Sequence, residues 1–170
     1  VRLPRRARPP LEVAEGERVL AWAEAPAGVV AGTRDALYVR LSSSPGESGA
    51  ARIPWELVEA ADWDRETSVL RVSEVGSWGE RRPEHRVTLE EPGRLLELVR
   101  ERVTASVVLQ RHVPVHGRRG LRVIARRAPR GDRPISWVFE YDEGVDPGDP
   151  EVVRLAGEAL AAAREEVGTL

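Results

Sequence analysis

With 170 residues, 41% of them hydrophobic and 32% charged, and a net charge of -2, the chain has the balance of one large folded domain or of a small domain with an extension; disorder is not expected. It has no cysteine, and all 26 basic residues are arginine, which excludes disulfides, thiolate metal sites, cysteine nucleophiles, Schiff-base lysines and the P-loop lysine. No window reaches the roughly 18 apolar residues of a membrane span. The start VRLPRRARPP also lacks the apolar core of a secretory signal, so no membrane association and a cytoplasmic location are expected.

Residues 1–10 hold three prolines and four arginines with almost nothing to bury, and read as a flexible basic arm. From Leu11 onward, short alternating or β-branched runs predict strands at 18–23, 29–32, 36–41, 51–55 continuing through Val58, 68–75 and 85–89. Turn chemistry separates them at PAG (26–28), SSSPGESG (42–49), DRET (64–67) and GSWGE (76–80), the second being the expected mobile loop. Glu91-Pro92-Gly93 then opens a helix, since proline in a first turn lacks only an N–H that the helix would leave unpaired. Its apolar stripe is Leu95, Leu98, Val99 and Val103, the pattern of a helix lying on a sheet.

The last third changes character. Residues 105–115 alternate as a strand, with Val107, Leu109, Val113 and Val115 on one face and Gln110, His112 and His116 on the other. Runs 121–128 and 135–141 flank PRGDRP and predict a β-hairpin in which Ile135, Trp137, Phe139 and Tyr141 share a face, with Arg122 and Arg126 across from Glu140 or Asp142. Asp149-Pro150-Glu151 is a helix start of cap, first-turn proline and acid, and Gly168 a stop. Val152, Ala156, Ala159, Ala163 and Val167 give that helix a narrow apolar stripe.

Over about 16–104 the order GERVLAW (16–22), VVAGTRDALYVRL (29–41), RIPWELVEAADWD (52–64), SVLRVSEV (68–75) and RVTLEEPGRLLELVRERV (86–103) resembles a bacterial pleckstrin-homology-like domain. The resemblance implies a bent antiparallel pleckstrin-homology-like β-barrel over 11–104 capped by a helix; 105–170 lies outside it and, from its own pattern, is expected as a strand, β-hairpin and helix extension, so that the whole chain is expected to be α+β. The phosphoinositide-binding members of that family carry a basic cluster around their first two strands. Here Arg18 and Arg34 are the only cations from 11 to 34, which argues against a lipid-headgroup site.

Candidate functional residues fall in three groups. The stretch 107–133 holds eight arginines and one acid, and 134–170 nine acids and two arginines; adjacent blocks of opposite sign pair with each other in a fold more often than they wait for a ligand. Arg118, Arg119, Arg127, Arg130 and Arg133, together with Arg5, Arg6 and Arg8 of the arm, are the candidates for an anion or nucleic-acid face, although no aromatic is interleaved to stack bases. Among the tryptophans Trp55 is expected in the core, on one face with Ile53 and Leu57. Trp63, set between two aspartates, and the hairpin aromatics Trp137, Phe139 and Tyr141 are candidates for a protein interface or for self-association.

His112 and His116 are too few for a tetrahedral zinc site, DEGVDPGDPE (142–151) lacks calcium-loop spacing, and the serines have no nearby histidine. No catalytic, cofactor or metal site is therefore expected. The functional expectation is a non-catalytic module acting through protein contacts, with anion or nucleic-acid binding as the alternative.

Overall fold

The computed structural model describes residues 9–41, 50–76 and 82–168. Most of the expected arm, all of SSSPGESG and all of GSWGE but Gly76 lie outside the described residues. The chain divides into two compact units, Val1–Val103 and Thr104–Leu170. The class is α+β, with three antiparallel sheets and two helices.

In the first unit β1 (Ala21–Ala25), β2 (Gly28–Gly32), β3 (Ala36–Leu41) and β4 (Ala51–Pro54) form a four-stranded sheet in chain order. β5 (Val58–Asp64), β6 (Val69–Glu74) and β7 (Glu84–Thr88) form a three-stranded one, and α1 (Arg94–Ser106) follows, its residues through Val103 belonging to this unit. Two open sheets thus stand where a single barrel was expected, because no ladder joins the strands of one sheet to those of the other among the described residues. The expected continuous strand through Val58 is interrupted as well. A single 3-10 turn at Trp55–Leu57 ends β4 and delivers the chain to β5 in the other sheet. That turn breaks the two-residue alternation, so Trp55 and Val58 are buried while Leu57, expected beside them, is 37% exposed.

The core of this unit collects one face of each sheet. Val30, Leu37, Ile53 and Trp55 meet Leu70, Val72 and Val87, and Leu95 and Val99 of α1 close over them. Trp55 is fully buried and its indole Nε1 donates to the Thr33 carbonyl at 3.0 Å, which satisfies the one polar atom such a ring carries inside. Leu98 lies against Gly32, where a Cβ would come within 2.6 Å of it, so glycine lets the helix approach β2 closely. The other face of the first sheet is not left to solvent. Ala31, Ala36 and Tyr38 form a second cluster there, with Leu11, Val13, Val19, Trp22 and Ala50 packed against it.

In the second unit β8 (Val107–His116), β9 (Arg119–Arg126) and β10 (Ser136–Tyr141) form a sheet of order β10-β9-β8, followed by α2 (Pro150–Gly168). The first residues of α2 bear out the start signal, for Asp149 Oδ1 accepts the Glu151 N–H at 2.8 Å. Val152, Ala156 and Ala163 of α2 are buried against Leu121 and Val123 of β9, with Leu109 and Val113 of β8 beside them. The small alanines bring the helix close to the strands, and apolar area removed from water on both sides holds it there at roughly 25 cal/mol per Å².

Candidate interaction surface

In β10, Trp137, Phe139 and Tyr141 point to the α2 side of the sheet and pack against its core, each half-buried. Phe139 and Tyr141 stack with ring centroids 6.4 Å apart, and the Arg164 guanidinium sits 5.9 Å from the centre of the Trp137 ring. Burial pushes the Tyr141 hydroxyl pKa up. The expected shared face is present, and it is only partly covered: α2 lies chiefly on β8 and β9, while the aromatic row occupies the edge strand. Trp137→Ala is expected to lower the stability of the second unit by about 1–2 kcal/mol, less than a fully buried tryptophan would cost. Thermal melting followed by circular dichroism measures it.

The backbone of β10 adds a second property. Its register on β9 is regular, Ser136 opposite Arg126 through Tyr141 opposite Leu121. The Asp142 N–H donates to the Gly120 carbonyl at 2.9 Å, which makes that pair, and by alternation the pairs of Glu140, Val138 and Ser136, the hydrogen-bonded ones. The N–H and C=O of Trp137, Phe139 and Tyr141 consequently point away from β9, toward the open side of the strand.

Edge strands usually carry devices that discourage pairing with another chain: charge, proline, bulges or brevity. β8, the opposite edge of this sheet, has two register irregularities, Pro114, and the exposed Arg111, His112 and His116. β4 carries Arg52 and Pro54, β5 a bulge with Asp62 and Asp64, β7 Glu84 and Arg86, and five-residue β1 the exposed Glu24. β10 reads SWVFEY. Its single charge, Glu140, is directed back across its own sheet, 3.7 Å from Arg122.

The arginine candidates do not converge. Arg118 and Arg119 stand at the β8–β9 turn, whereas Arg127, Arg130 and Arg133 belong to the connection at the other end of β9. At about 3.3 Å per residue the intervening strand sets the two groups roughly 25 Å apart. All five are exposed. Arg5, Arg6 and Arg8 lie outside the described residues. The opposite-sign blocks do pair within the unit: Arg122 with Glu140 and Asp142, and Arg111 with Glu166, whose carboxylate accepts from the Arg111 Nε at 3.1 Å. Arg126, expected opposite an acid, is instead buried and donates to Ser106 Oγ at 3.0 Å, because its register partner on β10 is Ser136.

His112 lies 3.3 Å from Asp142, which also accepts the Gly120 N–H at 2.8 Å. The Gly120 N–H first, and His112 after it, hold the Asp142 carboxyl below the usual carboxylate range. A register shift between Pro114 and His116 takes His116 out of the simple alternation that would set it beside His112. His85 belongs to the first unit and meets Glu74 at 2.7 Å. Among the described residues no three His, Asp or Glu side chains gather as metal ligands would, and no helix is long and apolar enough to cross a membrane.

Trp63 packs half-buried against the core of the first unit, opposite Leu70 in the β5–β6 register. Its flanking aspartates point outward, and Arg71 reaches Asp62 at 3.1 Å. A polar cluster that the sequence did not announce lies on the other face of that unit's first sheet. Glu17, with a side chain 5% exposed, accepts from Thr33 Oγ1 at 2.6 Å, from the Tyr38 hydroxyl at 3.0 Å and from Arg52 Nε at 2.9 Å. Tyr38 in turn accepts the Ala14 N–H at 3.0 Å. Burial works to raise the Glu17 pKa, but the hydrogen bonds from Thr33, Arg52 and Tyr38 together outweigh it and hold the carboxyl below its ordinary value. The hydrogen-bonded pairs are 14 to 35 residues apart in sequence, so no local spacing could reveal them. A depression nearby is lined by residues 11–22 with Pro9 and Arg94; its described lining holds no serine, threonine or histidine, and its Glu17 is committed to the cluster.

No protein-family model matches this chain, and neither the curated proteins nor the solved structures searched contain a match.

Proposed function

We propose that this protein is a non-catalytic interaction module: a pleckstrin-homology-like unit followed by a sheet-and-helix unit, acting through protein contacts at the open edge of β10. The observation that carries the reading is the contrast between β10 and the other edge strands. An unguarded strand with outward N–H and C=O groups and a half-covered aromatic row is suited to receive an extended segment of another chain, with main-chain hydrogen bonds for affinity and side-chain contacts for selectivity. The succession of a four-stranded sheet, a three-stranded sheet and a core-packed helix supports the pleckstrin-homology-like part. Anion binding through the arginines is disfavoured by their division between the two ends of β9.

A photo-crosslinking side chain placed at Ser136 of the full chain, irradiated in extract of the native host, tests the proposal. Protein adducts that still form when the extract is treated with nuclease, or brought to high salt, before irradiation are the expected result. Adducts lost under both treatments would transfer the function to the arginines, because phosphate contacts weaken by roughly 0.9 log units per log unit of salt for each phosphate on duplex DNA.

A further inference from the structure

Resting on the edge-strand reading, we infer that the segment paired with β10 is β10 of a second copy of this chain, antiparallel and centred on Phe139. An edge strand whose outward groups belong to Trp137, Phe139 and Tyr141 forms hydrogen-bonded pairs with an identical strand when those residues face one another. The register that does so sets Phe139 against Phe139 of the other copy and Trp137 against Tyr141. A shift by one residue would oppose outward groups to inward ones, so the backbone itself restricts the choice.

The side chains agree with that register. On the α2 side the aromatic rows of the two copies become one continuous layer, directly opposite pairs being of the aromatic type that stabilises sheets. Over β10 this layer is covered less than over β8 and β9, on which α2 chiefly lies, and all three aromatics stay half-buried with Arg164 of α2 over the Trp137 ring. On the other side Glu140 falls opposite Val138 and Asp142 opposite Ser136, so that no two like charges face across the joint. A twofold axis through Phe139 makes the contact isologous and closed, giving a dimer with a six-stranded sheet in place of an open fibre. Each copy then contributes its guarded edge, β8, to the outside.

The experiment uses the purified full chain. Sedimentation velocity across a concentration series is expected to show a monomer–dimer equilibrium. Residue-resolved amide exchange is expected to slow with concentration at Trp137, Phe139 and Tyr141 and to stay unchanged at Val138 and Glu140, whose N–H groups already serve the β9 ladder. Ser136→Asp sets two carboxylates against each other twice in the dimer and should weaken it by roughly two- to tenfold, whereas Ser136→Arg, facing Asp142, should tighten it. Melting curves of both variants at low concentration verify that the unit is folded. A wild type that stays monomeric throughout, while photo-crosslinks to host proteins persist, overturns the self-pairing and leaves the edge reading standing. A dimer whose protection does not alternate, or that both substitutions affect alike, overturns it too. Absence of both dimer and adducts removes the edge reading itself.

Discussion

Trp55→Ala should destabilise the first unit by about 3–5 kcal/mol, the range for deleting a fully buried tryptophan. The ring belongs to the same buried cluster as Leu37, Ile53 and Leu95, and its edge lies near Gly32. Trp55→Phe separates two contributions. The smaller aromatic keeps most of the volume but leaves the Thr33 carbonyl without its indole donor, so a cost of about 1–3 kcal/mol is expected from that pair together with the residual void. Thermal or urea unfolding of the three proteins measures both. Equal melting of wild type and Trp55→Ala would contradict the assignment of Trp55 to the core.

Glu17→Gln should cost about 2–3 kcal/mol at neutral pH, because three donors that now meet a carboxylate would share a neutral amide, and hydrogen bonds to charged groups are the stronger kind. Its pH dependence has a definite sign. Glu17 has a folded pKa held below its ordinary value of 4.5, so the unfolded chain takes up protons first as pH falls. The contribution of this carboxylate is therefore complete above about 4.5 and is lost as pH drops through the folded value. The stability difference between wild type and Glu17→Gln should shrink over that acid window and be constant from there up to neutrality. A difference that grew on acidification would show that another group carries the effect.

Much of the architecture was legible in local pattern. Alternation located the strands of both units, the Asp149-Pro150-Glu151 signal located α2, and the hairpin register placed Arg122 across from Glu140. What local pattern does not carry is a change of sheet. Ile53, Trp55 and Leu57 alternate in the sequence, yet one 3-10 turn reverses the third of them. Arg126 shows the same limit from the side of charge. Its fate followed from a register that made Ser136 its neighbour and from Ser106, which lies before β8 in the chain. The described arginine candidates fall into two groups for a reason of length alone, since a composition count ignores that an eight-residue strand holds its two ends apart. The edge property of β10 needed the topology: only the order β10-β9-β8 tells which strand has an open side.

The covering of the first sheet by residues 11–19 has a consequence for a chain not yet fully folded. Those residues belong to no ladder; Ala14 is held through a tyrosine hydroxyl and Glu17 through its side chain, and only at Leu20 does the backbone meet the sheet, by donating to the Gly32 carbonyl. Among the described residues the side chains that bond Glu17, those of Thr33, Tyr38 and Arg52, sit on β3, on β4 or in the turn between β2 and β3, and the buried residues under the segment are Ala31, Ala36 and Tyr38. Until residues 11–19 are in place, Ala31, Ala36 and Tyr38 lack the cover that those residues give them. A molecule in which this segment is undocked therefore displays an apolar surface that the finished protein does not.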